Sequence, residues 1–208
     1  VGRNCPLCRA KTPTSDEEHV KYIRPWVKKK KAWAQAYMGQ MYRDGEGVKQ
    51  SYEMARRLFE LAAQQGYVSA MYNLGHMYEN GEGVQQSYEK AKEYYQQAAH
   101  LGDVEAQYNL GAMNYNGKGV EVSYERSFEY YEQAAQLGHA GAQYTLGRMY
   151  YNGEGVEKDP SKGREWLTKA AVQGDKDAID ALKQIDNIDK SKGSTSAPTT
   201  SPDSITIV

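Results

Sequence analysis

The sequence predicts an all-α protein made of repeated helix pairs, and two observations indicate this fold class. First, a pattern that is clearest at residues 70–78, Ala-x-Tyr-x-Leu-Gly-x-Met-Tyr, returns every 36 residues with small changes and no insertion. A fixed period of this size is typical of a stacked array of one supersecondary unit. Second, Ala70, Leu74 and Met77 have the i, i+4, i+7 spacing that places side chains on one face of an α-helix.

The first helix of each copy ends at a Gly-x-Gly turn. In the second copy Gly81 and Gly83 stop the helix, because glycine adopts a positive φ at little cost. Val84 follows and is expected to close one end of the core. Gly75 lies inside the helix, where glycine costs about 1 kcal/mol relative to alanine. Its recurrence therefore predicts close backbone contact with a neighbouring helix, and the matching residues are Gly39, Gly111 and Gly147.

The second helix of each copy begins at a residue type that favours the N-cap position. These residues are Ser51, Ser87, Ser123 and Asp159. Pro160 then occupies the first helical position, which proline favours. The predicted apolar face in the second copy consists of Ala91, Tyr94, Tyr95, Ala98 and Ala99. A glycine ends each second helix, at Gly66, Gly102, Gly138 and Gly174.

Single helices are expected to cap both ends of the array. Residues 15–32 form the N-terminal capping helix, because Ser15 is a good N-cap and Glu18 takes the capping-box position. Pro25 is expected to kink or interrupt this helix. Residues 177–189 continue the apolar stripe and form a C-terminal capping helix, which open arrays need.

The C-terminal segment, residues 190–208, is predicted to be disordered. Ser, Thr and Pro dominate it, and no apolar period is present before Ile205. The last residues, Thr206-Ile207-Val208, resemble a ligand of PDZ domains, which bind a C-terminal strand and its carboxylate. A chance match over three residues is the alternative.

The repeated pattern resembles Sel1-like repeats, which are relatives of the tetratricopeptide repeats. The resemblance covers four copies, residues 33–68, 69–104, 105–140 and 141–176. It implies a right-handed superhelical solenoid of antiparallel helix pairs. Departures from the pattern are modest and occur at Ala36, Asn114, Ser127 and Gly163. Asn114 replaces the usual tyrosine and is expected to loosen the packing.

Two cysteines near the N-terminus, Cys5 and Cys8, have the spacing of half a tetrahedral zinc site. The segment Cys5-Pro6-Leu7-Cys8-Arg9 resembles the last ligand pair of a RING finger, a two-zinc domain of ubiquitin ligases. The resemblance implies that residues 1–14 are the remnant of such a domain and that its six other ligands precede residue 1. Another zinc pair and a redox pair are the alternatives, although a redox pair needs a βαβ context that this sequence lacks.

Composition and spacing exclude several functions. With 26 basic and 27 acidic side chains the net charge is -1, which gives no field for steering onto nucleic acid. No apolar run reaches the length of a membrane span. The four histidines lie in separate copies without metal spacing, and no nucleophile–base set is visible. We therefore expect no cofactor and no reaction in the repeats themselves, and Zn only in a complete upstream RING domain.

The resemblance implies that the first helices line the inner curve of the solenoid and form a groove that binds other proteins or peptides. The residues expected in this groove are Trp33, Gln40, Arg43, Tyr72, His76, Glu79, Tyr108, Tyr115, Tyr144, Arg148 and Tyr151. Tyrosine suits such a groove because it combines contact area with a hydrogen-bonding group. For Tyr72, Tyr108 and Tyr144 a role in the repeat fold alone is the alternative.

The leading hypothesis is a protein-interaction scaffold, the partner- or substrate-binding region of a RING-type ubiquitin ligase. The RING would recruit a ubiquitin-conjugating enzyme, and the array would select the client. The alternative is a Sel1-repeat adaptor unrelated to ubiquitin transfer, and a hydrolytic enzyme is a third class. Two closely spaced cysteines do not form a disulfide framework, so an intracellular, cytoplasmic protein is expected.

Overall fold

The computed structural model describes residues 15–194, and within this range it contains helices and no strand. The all-α class predicted from the repeat is thus confirmed. The helices are α1 (Asp16–Lys28), α2 (Ala32–Asp44), α3 (Tyr52–Ala63), α4 (Val68–Asn80), α5 (Tyr88–His100), α6 (Val104–Asn116), α7 (Tyr124–Gln136), α8 (Ala140–Asn152), α9 (Pro160–Val172) and α10 (Lys176–Ser194). Cys5, Cys8 and the C-terminal Thr206-Ile207-Val208 lie outside the described residues.

The chain divides into two compact units between Leu101 and Gly102. In the first unit, consecutive helices from α1 to α5 pack on one another. In the second unit the same is true of α6 to α10. Because each helix contacts its neighbours in sequence, the core of each unit is a row of local clusters, as in other repeat proteins.

The predicted N-caps start the second helices. The side-chain oxygens of Ser51, Ser87 and Ser123 each accept the backbone N–H three residues later at 3.3 Å. Asp159 does the same at 3.0 Å, with Pro160 at the start of α9. These bonds satisfy a backbone donor that the helix itself leaves free. The N-cap residues are therefore confirmed.

The core consists of the predicted periodic residues. Ala70, Leu74 and Met77 of α4 are completely buried, as are Ala91 and Tyr95 of α5. Other members of the predicted stripe, such as Tyr78, Tyr94, Ala99 and Val84, are half-buried. The second helix thus contributes its small residues and one aromatic ring to the interior.

The glycine inside each first helix makes room mainly for an aromatic ring. A Cβ added to Gly75 would lie 2.6 Å from the Tyr95 ring, and one on Gly111 would lie 2.9 Å from the Tyr131 ring. The predicted close contact exists, but the partner is a side chain rather than backbone. Only in the fourth repeat does backbone approach as expected, with the Gly163 carbonyl 3.0 Å from the same point on Gly147.

The second glycine of the Gly-x-Gly turn packs on the start of the preceding second helix. A Cβ on Gly155 would lie 2.3 Å from the Tyr124 carbonyl oxygen, and one on Gly83 would lie 2.3 Å from the Tyr52 Cβ. At the N-terminal end Asp16 of α1 takes the same place against Gly47. Each of these partners precedes its glycine by 31 residues. Helix α1 therefore substitutes for a second helix.

Asn114 is buried and its polarity is satisfied. Its side chain is 5% exposed, and its amide donates to the Leu110 carbonyl at 2.8 Å. The Asn114 carbonyl accepts the Ser123 N–H at 3.0 Å, as the Tyr78 carbonyl accepts the Ser87 N–H at 2.9 Å. The substitution thus keeps the backbone bond that closes the loop.

Both capping helices differ from their predicted form. Helix α1 runs through Pro25 to Lys28, so the expected interruption is wrong. Packing explains this, because Val20 and Ile23 are buried against α2 and hold the helix in place. Helix α10 reaches Ser194, so residues 190–194 are helical rather than part of a disordered tail. Its C-terminal half is held by Arg164, which forms ion pairs with Asp186 and Asp189.

Buried glutamines form a second repeated feature that the apolar pattern does not indicate. Gln35 accepts a hydrogen bond from Gln65 at 2.6 Å, and Gln143 accepts one from Gln173 at 2.7 Å. In the third repeat the acceptor is Gln107, but the donor position holds Leu137. Gln107 Oε1 is buried and has no hydrogen-bond partner in the described part of the chain.

We expect Leu137→Gln to raise the free energy of unfolding by about 1 kcal/mol, because the new amide can donate to the unsatisfied Gln107 oxygen. Leu137 is 60% exposed, so its replacement removes little apolar burial. Leu101→Gln is the matched control, since the facing register in the second repeat holds Met71. Urea denaturation measures both, and an equal gain in the two variants would contradict the explanation.

Candidate functional site

The first unit presents a polar face on α4, which we call the α4 face and define as Tyr72, His76 and Glu79. These residues are spaced i, i+4, i+7, so they share one side of the helix, and all three are half-buried. The Tyr95 hydroxyl donates to Glu79 Oε2 at 2.8 Å, and the Tyr72 and Tyr95 ring centroids are 5.7 Å apart. A core tyrosine thus fixes the outer carboxylate.

Arg43 of α2 adjoins the α4 face. Its Nη1 donates to Asn73 Oδ1 at 2.7 Å, and its Nε donates to Asp44 Oδ1 at 2.8 Å. The bond to Asp44 is the main reason why the pKa of Arg43 is raised, and the charge of Glu82 contributes in the same direction against the effect of burial. The guanidinium is therefore permanently charged and held in position.

Glu82, in the Gly-x-Gly turn, is a site residue that the sequence reasoning missed. Its Oε2 lies 3.6 Å from His76 Nδ1, and both atoms are buried without a hydrogen-bond partner among residues 15–194. The turn thus adds a second carboxylate next to the α4 face. A protonated His76 would pair with it directly.

The other two predicted groove residues of this unit lie apart from that cluster. Trp33 packs against Trp26 of α1, with ring centroids 5.9 Å apart, in the core around Val20 and Ile23. Gln40 is half-buried. The structure therefore places Trp33 in the contact between the N-terminal cap and the first repeat.

The second unit presents the corresponding α8 face, defined as Tyr144, Arg148 and Tyr151. Their spacing again places them on one side of a helix, and all are half-buried. The Arg148 guanidinium lies 5.8 Å from the Tyr144 ring centroid, within the range of a cation–π interaction. Tyr144 and Tyr151 pack against the core around Leu167, so the two rings serve both the fold and the surface.

Tyr115 of α6 is fixed by an acidic residue of the next turn. Its hydroxyl donates to Glu154 Oε2 at 2.9 Å, and Asn152 donates to Glu154 Oε1 at 3.0 Å. Burial is the main reason why the pKa of Tyr115 is raised, and the bond to Glu154 adds to it, while the Arg148 charge lowers it. The phenol is therefore a neutral donor over the whole physiological range.

Glu154 could have been found from spacing. It lies 39 residues after Tyr115, and Glu82 lies 39 residues after Arg43, whose pKa it raises. A polar residue near the end of one first helix thus interacts with the turn acid of the next repeat. The repeat motif hides this relation, because it shows the turn acid only as a variable residue between two glycines.

Tyr108 is more deeply involved in the fold than the other tyrosines. It stacks on His139 with ring centroids 4.4 Å apart, and it lies 5.4 Å from the Tyr131 ring. Burial raises the pKa of both Tyr108 and Tyr131. His139 also caps α8, since its Nδ1 accepts the Ala142 N–H at 3.0 Å. Tyr108 thus supports the start of α8.

No group of three or more His, Cys, Asp or Glu side chains in residues 15–194 could hold a metal ion. None of the helices in this range is both long and apolar enough to cross a membrane. The two predicted zinc ligands, Cys5 and Cys8, lie outside the described residues. The chemistry that the site offers is therefore that of tyrosines, carboxylates and arginines arranged on helix faces.

Comparison with known families defines the class of protein. The Sel1 repeat family model matches four consecutive segments, residues 34–67, 68–103, 104–139 and 140–175. These segments include every first helix and second helix described above from α2 to α9. The chain belongs to the Sel1 repeat family. No curated protein sequence matches it.

Solved structures show the same fold. A Sel1 repeat protein from Oxalobacter formigenes is 39% identical with a TM-score of 0.77, and the match covers 83% of this chain and 50% of that one. A protective antigen of uropathogenic Escherichia coli with the SLR fold is 33% identical with a TM-score of 0.78, over 83% and 37% of the two chains. This chain thus spans half or less of these relatives. An immunity protein from Pseudomonas aeruginosa, 24% identical with a TM-score of 0.54, shares the fold.

Proposed function

We propose that the chain is a protein-interaction scaffold that binds its partner through the first helices of the repeats. The α8 face carries the proposal, because it presents two tyrosines and an arginine at helical spacing where the opposite side of the helix is core. Tyrosine and arginine are enriched among the residues that contribute most to protein–protein binding.

The positions of these side chains support the proposal further. Hydrogen bonds fix Tyr115 to Glu154, Glu79 to Tyr95 and Arg43 to Asn73. Side chains that are already ordered lose less conformational entropy on binding than free ones do. Each unit therefore offers a prepared polar surface, with a carboxylate and a guanidinium in both cases.

Affinity capture followed by titration with the purified partner tests this function. We expect Arg148→Glu to weaken binding by at least about tenfold, since it reverses a charge in the centre of the α8 face. Arg126→Glu is the matched control, because it makes the same charge change at an exposed position of α7 in the same unit. The proposal fails if Arg148→Glu and a parallel Arg43→Glu both bind as the unchanged protein does.

We further propose that the array selects the client of a RING-type ubiquitin ligase. The segment Cys5-Pro6-Leu7-Cys8 supports this, because two thiolates at this spacing can hold one side of a zinc ion. A ubiquitin-conjugating enzyme would then be the second partner. Zinc analysis of the protein expressed from its complete reading frame tests the proposal, and two ions per chain are expected. Fewer ions would leave a Sel1-repeat adaptor as the function.

A cytoplasmic location accompanies this proposal. Free thiolates persist in reducing compartments, where disulfides are rare. Fractionation of cells that express the tagged full-length protein checks the location, and recovery in an oxidising compartment would contradict it.

A further inference from the structure

A cavity lies between α3, α4 and α5, away from the α4 face. Its volume is about 400 Å³, and the fully buried Leu74 forms part of its wall. Tyr78 and Tyr94 line it with stacked rings, whose centroids are 5.7 Å apart at an interplanar angle of 11°. The remaining lining residues are Glu60, Ala63, Gln64, Lys90, Glu93 and Gln97. The cavity thus combines an aromatic wall with two carboxylates.

The fourth repeat shows what the corresponding aromatic position binds. Trp166 stands 72 residues after Tyr94, and Lys169 stands 72 residues after Gln97, so the two pairs share a register. The Lys169 ammonium lies 3.7 Å from the Trp166 ring centroid, which is a close cation–π contact. In the second repeat the lysine position holds the uncharged Gln97, and a cavity is present there.

The charges around Tyr94 favour a cation. Burial raises the pKa of the Tyr94 phenol, and Tyr78, Glu60 and Glu93 raise it further, while Arg56 lowers it. Glu60 pairs with Arg56 at 2.5 Å, whereas Glu93 is exposed. The Lys90 ammonium is placed over Tyr78, 5.1 Å from the ring centroid. This first tyrosine therefore already has its cation, and Tyr94 is the ring whose counterpart in the fourth repeat carries a second one.

We propose that this cavity binds a lysine side chain of a partner protein, with the ammonium on Tyr94 beside Glu93 and the aliphatic stem against Leu74. The stem of a lysine can cover apolar surface while its charged end stays near water. The binding surface belongs to the second helices, so it is separate from the α4 and α8 faces and can be tested independently of them.

A short peptide is the probe. Ac-Gly-Lys-Gly-amide is titrated into isotope-labelled protein, and chemical-shift changes are expected at the amides of residues 60–64 and 93–97. The same peptide with norleucine in place of lysine has the stem without the charge, and the arginine peptide has a different cation. We expect the norleucine peptide to bind at least about fivefold more weakly, consistent with a partly desolvated cation–π contact.

Two charge-matched variants decide the question. Gln97→Lys recreates the arrangement of Lys169 and Trp166, so the chain fills its own cavity, and peptide binding is expected to fall by about tenfold or more. Gln133→Lys adds the same charge at the same register of the third repeat, where Asn114 replaces the first tyrosine. It is expected to change binding less than twofold. Both positions are exposed, so neither substitution disturbs the core.

Three outcomes would overturn the proposal. Equal binding of the lysine and norleucine peptides would show an apolar cavity without selectivity for charge. Equal weakening by Gln97→Lys and Gln133→Lys would show a general electrostatic effect. Unchanged binding in Gln97→Lys would place the peptide elsewhere. None of these results depends on Arg148 or Arg43, so the proposed scaffold function would stand or fall separately.

Discussion

Gly155→Ala is expected to lower the free energy of unfolding by about 3 kcal/mol or more. Gly155 has φ +69°, and a Cβ at this position would lie 2.3 Å from the Tyr124 carbonyl oxygen and 2.4 Å from its carbonyl carbon. Backbone strain accounts for about 1 to 2 kcal/mol of the loss. Overpacking against backbone atoms, which cannot rotate away, adds about 1 to 3 kcal/mol.

Gly174→Ala separates these two contributions. Gly174 also has a positive φ, +88°, but no atom lies within 4 Å of the added Cβ. This variant is therefore expected to lose only the strain energy, about 1 to 2 kcal/mol. Chemical denaturation followed by circular dichroism measures both variants. Equal losses would mean that the turn does not press on α7 as described.

Leu110→Ala is expected to cost about 2 to 5 kcal/mol, the range for truncating a buried leucine. Leu110 is 1% exposed and occupies the central position of α6. The loss combines the transfer of the removed methyl groups with the cavity that they leave. Thermal and chemical denaturation of the two proteins give the difference.

Leu137→Ala provides the comparison for Leu110. Leu137 is 60% exposed, so its truncation removes little buried surface and is expected to cost less than about 1 kcal/mol. A loss within experimental error at Leu110 would show that the residue is outside the core, and the assignment of the apolar face would then be wrong.

The sequence predicted most of the fold because the repeat shows the same local rule several times. Ser51, Ser87 and Ser123 could be identified as N-caps since each stands at the same distance from a Gly-x-Gly turn. The burial of Leu74 and Met77 followed from their spacing alone. Helix period, capping chemistry and glycine stops all agree here, and such agreement makes a fold readable.

The remaining features depend on neighbours in space. Pro25 does not end α1, because burial of Ile23 outweighs the cost of the proline ring. The room beside Gly75 is taken by the Tyr95 ring, which no rule of helix propensity indicates. The role of Glu82 depends on a side chain that arrives from another helix, so it could not be derived from its own surroundings in the sequence.

The packing of Gly47, Gly83 and Gly155 on residues 31 positions earlier gives the molecule a direction. For each of these turns, the surface that receives it has already left the ribosome when the turn is made. Nascent domains generally acquire structure from the N-terminus onward. This chain can therefore assemble during translation one repeat at a time, with α1 as the template for the first.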